Sequence, residues 1–307
     1  MPAPILALLG PTASGKSTLA VRLALHLFED GTPAEIVNAD SMLVYRGMDI
    51  GTAKPTLEER RGVPHHLVDI LDVRETATVA DFQRLARDAI ASCQDRGVVP
   101  ILVGGSALYL RAILDEFTFP GTDPAVRAGL ETELEQLGPL AMYERLLRLA
   151  PEAAVEMQPM NGRRVVRALE VVALTGSYKA TLPEHHYALP GVVQIGLSID
   201  RTEMDARIGA RVDDMWAKGL VAEVAALDEQ GLREGVTASR ALGYRQVLAY
   251  LDGRCTEEQA ITDTAAGTRR FARRQLGWWR RDPRIHWFDA LALPTPAELL
   301  AESGAQA

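Results

Sequence analysis

The chain has 307 residues, of which 47% are hydrophobic and 24% charged, so it can bury the core of one large domain with a second part appended or inserted. No segment approaches the roughly 18 apolar residues of a membrane-spanning helix, and no signal-peptide pattern is present, so we expect a cytoplasmic protein without membrane contact. Over the whole chain, the net charge of −8 argues against nucleic-acid binding, which only local basic clusters can support.

The first predicted elements are a strand, a loop and a helix around the segment GPTASGKS, residues 10–17. The spacing of its glycines to Lys16 and Ser17 fits the phosphate-loop motif of ATP-binding proteins, G-x-x-x-x-G-K-[ST]. Backbone N–H groups, the Lys16 ammonium and a magnesium ion on the Ser17 hydroxyl would bind a polyphosphate. The alternative is a glycine-rich turn with an incidental lysine. The predicted phosphate-binding residues are Gly10, Pro11, Thr12, Ala13, Ser14, Gly15, Lys16 and Ser17.

The apolar segments 5–9, 35–38 and 98–103 predict strands of a parallel sheet in a three-layer α/β fold, and strand character returns at 192–199 and 285–288. Between them, residues 125–175 have a helical pattern punctuated by prolines. We therefore predict a first part of the core at 1–120, an inserted all-helical domain at 121–190, and the rest of the core with a helical C-terminal region at 191–307.

A carboxylate, Asp40, follows the second predicted strand on the side where open α/β sheets bind ligands. It is a candidate for acid/base chemistry, or else a turn-capping residue. The third predicted strand ends in VGGS, where glycines allow close backbone approach and Ser106 can cap a helix. No carboxylate follows that strand directly, which differs from phosphate-loop ATPases. We therefore expect the loop to hold a phosphate without hydrolysing it.

Six segments resemble, in order, the motifs of the bacterial tRNA dimethylallyltransferase family: GPTASGKS (10–17), ADSMLVYRGMDIGTAKP (39–55), PHHLVDI (64–70), VGGSALY (103–109), RALE (167–170) and GYRQ (243–246). The resemblance implies a fold similar to that of phosphate-loop kinases. It also implies transfer of a dimethylallyl group from dimethylallyl diphosphate to N6 of the adenosine 3′ of the anticodon in tRNA. Ser17 and Ser106 stand where many members have Thr, which keeps the hydroxyl.

The resemblance also implies roles for individual residues. Asp40 is the catalytic base that accepts the N6 proton, and Lys16, Ser17 and magnesium stabilise the departing diphosphate. The inserted domain contacts the anticodon stem-loop. The implied tRNA-binding residues are Asp40, Ser41, Met42, Leu43, Ser106, Arg127, Arg163, Arg164, Val165, Val166, Arg167, Arg240, Ala241, Leu242, Gly243, Tyr244 and Arg245. Arg207 and Arg211, one helical turn apart, either reach the diphosphate or form surface ion pairs.

A predicted helix near the C-terminus carries an arginine stripe that suits contact with RNA phosphates, although a solvated helix face is the alternative. Its arginines are Arg269, Arg270, Arg273, Arg274, Arg280 and Arg281. We expect Trp278 and Trp279 in the core, and Cys93 and Cys255 as buried small side chains. The pairs His65–His66 and His185–His186 have no further ligand at metal-binding spacing in the sequence, which argues against zinc.

Three other functions use the same residues differently. A small-molecule phosphate-loop kinase would consume ATP in the presence of an acceptor, but the helical insertion and the lack of a carboxylate directly after the third predicted strand argue against it. A transferase that prenylates free adenine nucleotides would need neither the insertion nor the arginine stripe, and a nucleotide-gated RNA-binding module would not need Asp40. We expect a monomer that binds the anticodon stem-loop of tRNA and dimethylallyl diphosphate.

Overall fold

The computed structural model describes residues 2–178 and 184–305, so residues 179–183 of the predicted insertion lie outside the described residues. Six strands form one parallel sheet in the order β3-β2-β4-β1-β5-β6. The strands are β1 (Ile5–Leu9), β2 (Ala34–Asn38), β3 (His65–His66), β4 (Val99–Gly104), β5 (Val192–Ser198) and β6 (Ile285–Asp289). The sequence pattern missed β3, because two residues are too few to show a period.

Twelve α-helices are found in the described part of the chain. They are α1 (Lys16–Glu29), α2 (Leu57–Arg60), α3 (Val79–Asp95), α4 (Ala107–Leu114), α5 (Pro124–Leu149), α6 (Pro151–Val155), α7 (Gly162–Thr175), α8 (Arg201–Ala217), α9 (Leu220–Glu229), α10 (Tyr244–Leu251), α11 (Glu257–Trp279) and α12 (Pro296–Glu302). Short 3-10 turns lie at Leu232–Glu234 and Ala238–Arg240. No helix in this part of the chain is long and apolar enough to cross a membrane.

The central strand β1 is buried on both faces, and its side chains divide between two cores. Ile5, Ala7 and Leu9 belong to the core that includes side chains of α3, α4 and α10. Leu6 and Leu8 belong to a second core with side chains of α1 and α12. Alternation along a strand places successive side chains on opposite faces, so helices cover both faces of the sheet. The predicted three-layer parallel α/β fold is confirmed.

The chain divides into two compact units. The sheet unit comprises residues up to Asp115 and from Tyr187 onward, and the helical unit is Glu116–His186. The helical unit has its own core, built from α5, α6 and α7. Gly138 interrupts α5 with a φ of 79°, a conformation that glycine adopts readily, and Pro139 follows it. The observed limits of 116 and 186 compare with 121 and 190 in the sequence analysis.

The chain leaves and re-enters the sheet unit at adjacent positions. Asp115 and Tyr187 form an antiparallel bridge, and the Ala188 N–H donates to the Leu114 carbonyl at 2.8 Å. The buried Asp115 carboxylate accepts hydrogen bonds from Arg111 at 3.0 Å and from Arg284 at 2.8 Å. These contacts hold together the two positions of the sheet unit between which the helical unit is inserted.

Candidate functional site

The loop between β1 and α1 has the backbone that the phosphate-loop motif predicts. Gly10 has a φ of 144°, and a Cβ atom there would lie 2.8 Å from the Leu197 carbonyl oxygen, so only glycine fits. Gly15 begins α1 in the left-handed region with a φ of 87°. The Ser14 hydroxyl donates to the Pro11 carbonyl at 2.9 Å, which closes the loop on itself. Thr12, Ala13, Gly15, Lys16 and Ser17 of this loop line one space at the start of α1.

Lys16 is the cation of this loop, and its Nζ donates to the Pro11 carbonyl at 2.6 Å. Burial lowers its pKa to about 8, an effect that Asp40 opposes and Arg211 reinforces. The same burial raises the pKa of Asp40, while a hydrogen bond from the Met42 N–H and the charge of Lys16 act in the opposite direction. Lys16 and Asp40 are thus brought close enough to influence each other's ionisation.

The side chains of Asn38 and Asp40 hold the backbone around Asp40 in place through hydrogen bonds. The Asn38 amide accepts the Asp40 N–H at 2.8 Å and donates to the carbonyls of Asp40 and Leu67, each at 2.9 Å. One Asp40 carboxylate oxygen accepts the Met42 N–H at 2.9 Å. Asp40 therefore has a turn-capping contact, as the alternative interpretation requires, and it also lines the cavity described next.

A cavity of about 810 Å³ lies beside the loop, and we call it the phosphate-loop cavity. Of the residues predicted to bind phosphate or to act in catalysis, it is lined by Thr12, Ala13, Gly15, Lys16, Ser17, Asp40 and Arg211. Gly10, Pro11 and Ser14 shape the loop and are not among the lining residues. The Ser17 hydroxyl and the Asp40 carboxylate offer the oxygen ligands that a hard divalent cation prefers, so the residues present fit such an ion.

The two arginines of α8, Arg207 and Arg211, lie in different environments. Arg211 lines the phosphate-loop cavity and donates to the Thr12 hydroxyl at 3.5 Å. Arg207 is not among the lining residues, and its guanidinium donates to Glu203 at 2.7 Å. Of the two interpretations offered for the pair, the cavity position fits Arg211 and the ion pair fits Arg207.

A second wall of the cavity is the loop 49–55, whose residues the sequence motif contained without a role being assigned. Lys54 is buried and donates to Asp49 at 2.6 Å, to Asp69 at 2.5 Å and to the Tyr45 carbonyl at 2.8 Å. These three bonds fold the loop around one ammonium group. Nothing in the local sequence pattern predicted that Asp69 would be its partner.

Glu223 of α9 supports the same loop from outside. Its carboxylate accepts the successive backbone N–H groups of Asp49, Ile50 and Gly51 at 3.1, 2.7 and 3.2 Å. It also accepts the hydroxyl of Tyr244 at 2.5 Å. Tyr244 is fully buried, so its side chain supports this loop and does not reach the protein surface.

The end of β4 approaches the loop closely because it has no side chains there. A Cβ atom on Gly104 would lie 2.5 Å from the Ala39 carbonyl oxygen, and one on Gly105 would lie 2.3 Å from the Gln275 amide nitrogen. Gln275 of α11 in turn accepts the Thr12 N–H at 2.9 Å. Ser106 stands at the start of α4 but makes no capping hydrogen bond with its side chain.

The remaining residues of the segments 40–43 and 240–245 lie at different depths. Ser41, Met42 and Leu43 are half-buried, and Leu43 lines the phosphate-loop cavity. In the second segment, Arg240 and Arg245 are exposed, Leu242 is half-buried, and Ala241 and Gly243 are buried with Tyr244. The arginines are therefore the side chains of the second segment that reach solvent.

In the helical unit, Arg127 and Arg167 surround a buried carboxylate. Glu170 of α7 accepts Arg127 at 2.6 Å and Arg167 at 2.7 Å. Arg163 and Arg164 are exposed in the first turn of α7, whereas Val165 and Val166 are buried in the core of this unit. In the first turn of this helix, Arg163 and Arg164 are therefore side chains that can reach a partner.

The arginine stripe lies along α11 and just beyond its end, and two of its six arginines contact Asp205. Arg270, Arg274, Arg280 and Arg281 are exposed, but Arg269 donates to the Asp205 carbonyl at 3.3 Å and Arg273 pairs with the Asp205 carboxylate at 3.7 Å.

The two tryptophans that follow on the same helix differ. Trp279 is in the core as predicted, whereas the prediction for Trp278 was wrong, because 44% of it is exposed. The two side chains point in directions about 100° apart on the helix, so only one of them faces the sheet.

The sequence analysis did not predict one cluster of polar side chains, because its members are far apart in the sequence. His66 Nε2 lies 2.6 Å from a carboxylate oxygen of Glu35 and 3.8 Å from Cys93 Sγ. No cysteine lies at ligand spacing from this histidine pair in the sequence, but the fold brings Cys93 close to His66. Its neighbour His65 points elsewhere and lines the phosphate-loop cavity. Cys93 is buried as expected, whereas Cys255 is only half-buried.

Comparison with known proteins identifies a family model and relatives that match most of the chain. Residues 43–282 match the family model described as IPP transferase. A tRNA dimethylallyltransferase of Thermobifida fusca (strain YX) is 62% identical over 284 residues, which cover 92% of this chain and 89% of that protein. A tRNA dimethylallyltransferase of Cutibacterium acnes is 58% identical over 289 residues, covering 94% of this chain and 91% of that protein.

Solved structures give the same result for the fold. The crystal structure of a full-length tRNA isopentenylpyrophosphate transferase from Bacillus halodurans has a TM-score of 0.71 and 40% identity, covering 98% of this chain and 94% of that one. A eukaryotic dimethylallyltransferase acting on tRNA has a TM-score of 0.78 and 26% identity, covering 94% of this chain and 74% of that one. Since the family model matches residues 43–282 and the Thermobifida fusca relative is 62% identical over 92% of this chain, the chain belongs to the IPP transferase family.

Proposed function

We propose that this chain transfers the dimethylallyl group from dimethylallyl diphosphate to N6 of the adenosine 3′-adjacent to the anticodon in tRNA, with release of diphosphate. One observation carries the proposal: a phosphate-loop lysine and a half-buried carboxylate line the same cavity. Transfer of carbon to an amino nitrogen uses both, with the lysine facing the departing diphosphate and the carboxylate accepting the proton of the amino group. The names of the relatives agree with this reaction.

The phosphate loop would bind the leaving group. As the C1–O bond of the donor breaks, negative charge develops on diphosphate and positive charge on the allylic carbon. The Lys16 ammonium, the loop N–H groups and the Arg211 guanidinium face that negative charge from the walls of the cavity. A magnesium ion held by the Ser17 hydroxyl would supply further positive charge to the same oxygens.

Asp40 would act on the acceptor. The exocyclic amino group of adenine is a poor nucleophile, because its lone pair is delocalised into the ring. A carboxylate that accepts one N6 hydrogen, and then its proton as the C1–N6 bond forms, makes the nitrogen more reactive. Burial raises the pKa of Asp40 and so increases its affinity for a proton. The Met42 N–H fixes one carboxylate oxygen at 2.9 Å.

Adenosine in an anticodon loop has to leave its stack to enter such a cavity, so base flipping is part of the proposal. We assign phosphate contacts to the exposed arginines, which are Arg163 and Arg164 in the helical unit and Arg240, Arg245 and Arg270 in the sheet unit. We further propose that the chain acts as a monomer. Since tRNA is its substrate, we place the reaction in the cytoplasm.

The test is Asp40→Asn, measured by single-turnover transfer with tRNA and dimethylallyl diphosphate both saturating. We expect the chemical step to slow by about 10²–10⁴-fold with little change in substrate binding. Asp214→Asn is the control, because Asp214 also lines the cavity but is exposed and pairs with Lys218 at 2.8 Å. A wild-type rate in the Asp40 variant would exclude the catalytic role. A loss that extra magnesium restores would instead make Asp40 a metal ligand.

The acceptor is tested with the wild-type chain. Mass analysis of unmodified tRNA incubated with protein, magnesium and dimethylallyl diphosphate should show one added dimethylallyl group per tRNA. Parallel reactions with AMP as acceptor, and with ATP as donor, represent the two other enzyme classes. Modification of AMP in preference to tRNA, or consumption of ATP, would refute the proposal.

A further inference from the structure

Three different metal-ligating side chains meet on the sheet unit outside the phosphate-loop cavity. They are Glu35 of β2, His66 of β3 and Cys93 of α3, and their ligand atoms all lie within 4.8 Å of one another. Cys93 is fully buried and Glu35 nearly so, whereas His66 is about one third exposed. We call this group the Glu35–His66–Cys93 cluster, and neither the phosphate loop nor Asp40 belongs to it.

The spacing within the cluster is close to that of a zinc site. The Cys93 sulfur lies 3.5 Å from a Glu35 oxygen and 3.8 Å from His66 Nε2. In a tetrahedral site with Zn–S of about 2.3 Å and Zn–N or Zn–O of about 2.0 Å, ligand atoms lie about 3.3–3.6 Å apart. Only the contact between Glu35 and His66, at 2.6 Å, has to lengthen. That change needs a small side-chain rotation and no movement of the strands.

Arg96 competes for this position. Its guanidinium donates to both oxygens of Glu35, at 2.8 and 2.6 Å, and approaches the Cys93 sulfur at 3.6 Å. The Arg96 side chain is 47% exposed, so it can move into solvent without leaving a buried charge behind. An arriving cation would take the Glu35 oxygen nearest to His66, and Arg96 could keep the other oxygen.

We propose that the Glu35–His66–Cys93 cluster binds Zn²⁺ through one sulfur, one nitrogen and one oxygen, with water as the fourth ligand. The Cys93 thiol loses its proton to solvent as the Zn–S bond forms, and no redox step is involved. A sulfur and an imidazole ligand favour zinc over magnesium, which prefers oxygen ligands alone. None of its three ligands lines the phosphate-loop cavity.

Zinc bound to the Glu35–His66–Cys93 cluster would tie the edge strand β3 to the rest of the sheet unit. β3 has only two residues and pairs only with β2, so few backbone hydrogen bonds hold it. The metal would link β3 to β2 and to α3 in one step. His65, on the opposite face of β3, lines the phosphate-loop cavity, so the metal would also fix one wall of that cavity.

The experiment uses the full chain and Zn²⁺ alone, with Co²⁺ as a spectroscopic probe. Competition with a chromophoric chelator should give one tight equivalent, and Co²⁺ should produce a thiolate charge-transfer band. Cys93→Ala should remove the band and the tight equivalent, whereas the control Cys255→Ala should keep both. Arg96→Gln should bind Zn²⁺ at least about tenfold more tightly, because the competing cation is gone.

Thermal unfolding provides the second readout. Zn²⁺ at about 100 times its dissociation constant should raise the melting temperature of the wild-type chain by about 5 °C and leave that of Cys93→Ala unchanged. The melting temperatures without metal show whether each variant is folded. Lack of a tight equivalent in both the wild-type chain and Arg96→Gln, or tight binding that survives Cys93→Ala, would overturn the proposal.

Discussion

Glu170→Gln should destabilise the helical unit selectively. Glu170 is fully buried in α7, where its carboxylate accepts hydrogen bonds from Arg127 at 2.6 Å, from Arg167 at 2.7 Å and from the Thr122 hydroxyl at 2.5 Å. A glutamine keeps the shape but has one acceptor oxygen, and its NH₂ group would face donors. The two arginines would then lose their shared counter-charge, and a polar group in the interior would be left unsatisfied.

The magnitude follows from the ionisation of this carboxyl group. Burial alone would raise its pKa, but the hydrogen bonds from Arg127, Thr122 and Arg167 outweigh burial and hold the pKa at about 2, against an ordinary value of 4.5. At 1.36 kcal/mol per pKa unit, this difference corresponds to about 3 kcal/mol of stability at neutral pH. Because the folded pKa is the lower one, that stability is present above pH 4.5 and is lost as the pH falls toward 2.

Amide hydrogen exchange of α5 and α7 measures the loss within the helical unit. At pH 7, Glu170→Gln should lower the free energy of opening by about 3 kcal/mol. The control is Glu131→Gln, because Glu131 pairs with the same arginine at 3.7 Å but is exposed, so its loss should cost under about 1 kcal/mol. Equal effects of the two variants, or a wild-type opening free energy that does not fall between pH 6 and pH 3, would refute the reasoning.

Three further predictions concern the proposed binding surfaces. Since burial lowers the pKa of Lys16 to about 8, the advantage of the wild-type chain over Lys16→Ala in binding inorganic diphosphate should shrink as the pH rises through 8, and calorimetry at pH 6.5 and 9 would measure it. Arg211→Gln should raise the KM for dimethylallyl diphosphate about tenfold, because a charge-assisted contact is lost, whereas Arg207→Gln should change the KM less than about twofold; equal effects would contradict the position of Arg211 in the cavity. Replacing Arg163 and Arg164 together with Gln should reduce the slope of log affinity for tRNA against log salt by about 1.5, measured by filter binding between 50 and 200 mM salt. An unchanged slope would remove the start of α7 from the RNA contact surface.

The parts of the site that local sequence patterns predicted are those where a few consecutive residues carry the chemistry. Lys16 and Ser17 follow from the spacing of the phosphate loop, and Asp40 follows from its place after an apolar strand. In both cases the parallel sheet brings the strand ends to one edge, so knowing the strand order is almost enough to place the residues together.

What could not be predicted depends on side chains that are distant in sequence. No local pattern connects Glu223 with the N–H groups of residues 49–51, or Gln275 with the Thr12 N–H. The same holds for Cys93 and His66, which meet only because β3 pairs with β2 and α3 packs nearby. Such contacts follow from the packing of whole elements, which hydrophobic periodicity does not specify.

The position of β1 in the sheet has a consequence for the order in which a newly made chain can fold. β1 pairs with β4 on one side and with β5 on the other, and the entire helical unit lies between β4 and β5 in the chain. A ribosome releases residues in sequence, so β1, β2, β3 and β4 can associate while the second edge of β1 still has no partner. An open strand edge invites pairing with other chains. The helical unit has its own core and can fold during that interval, so its synthesis time sets how long the nascent sheet stays open.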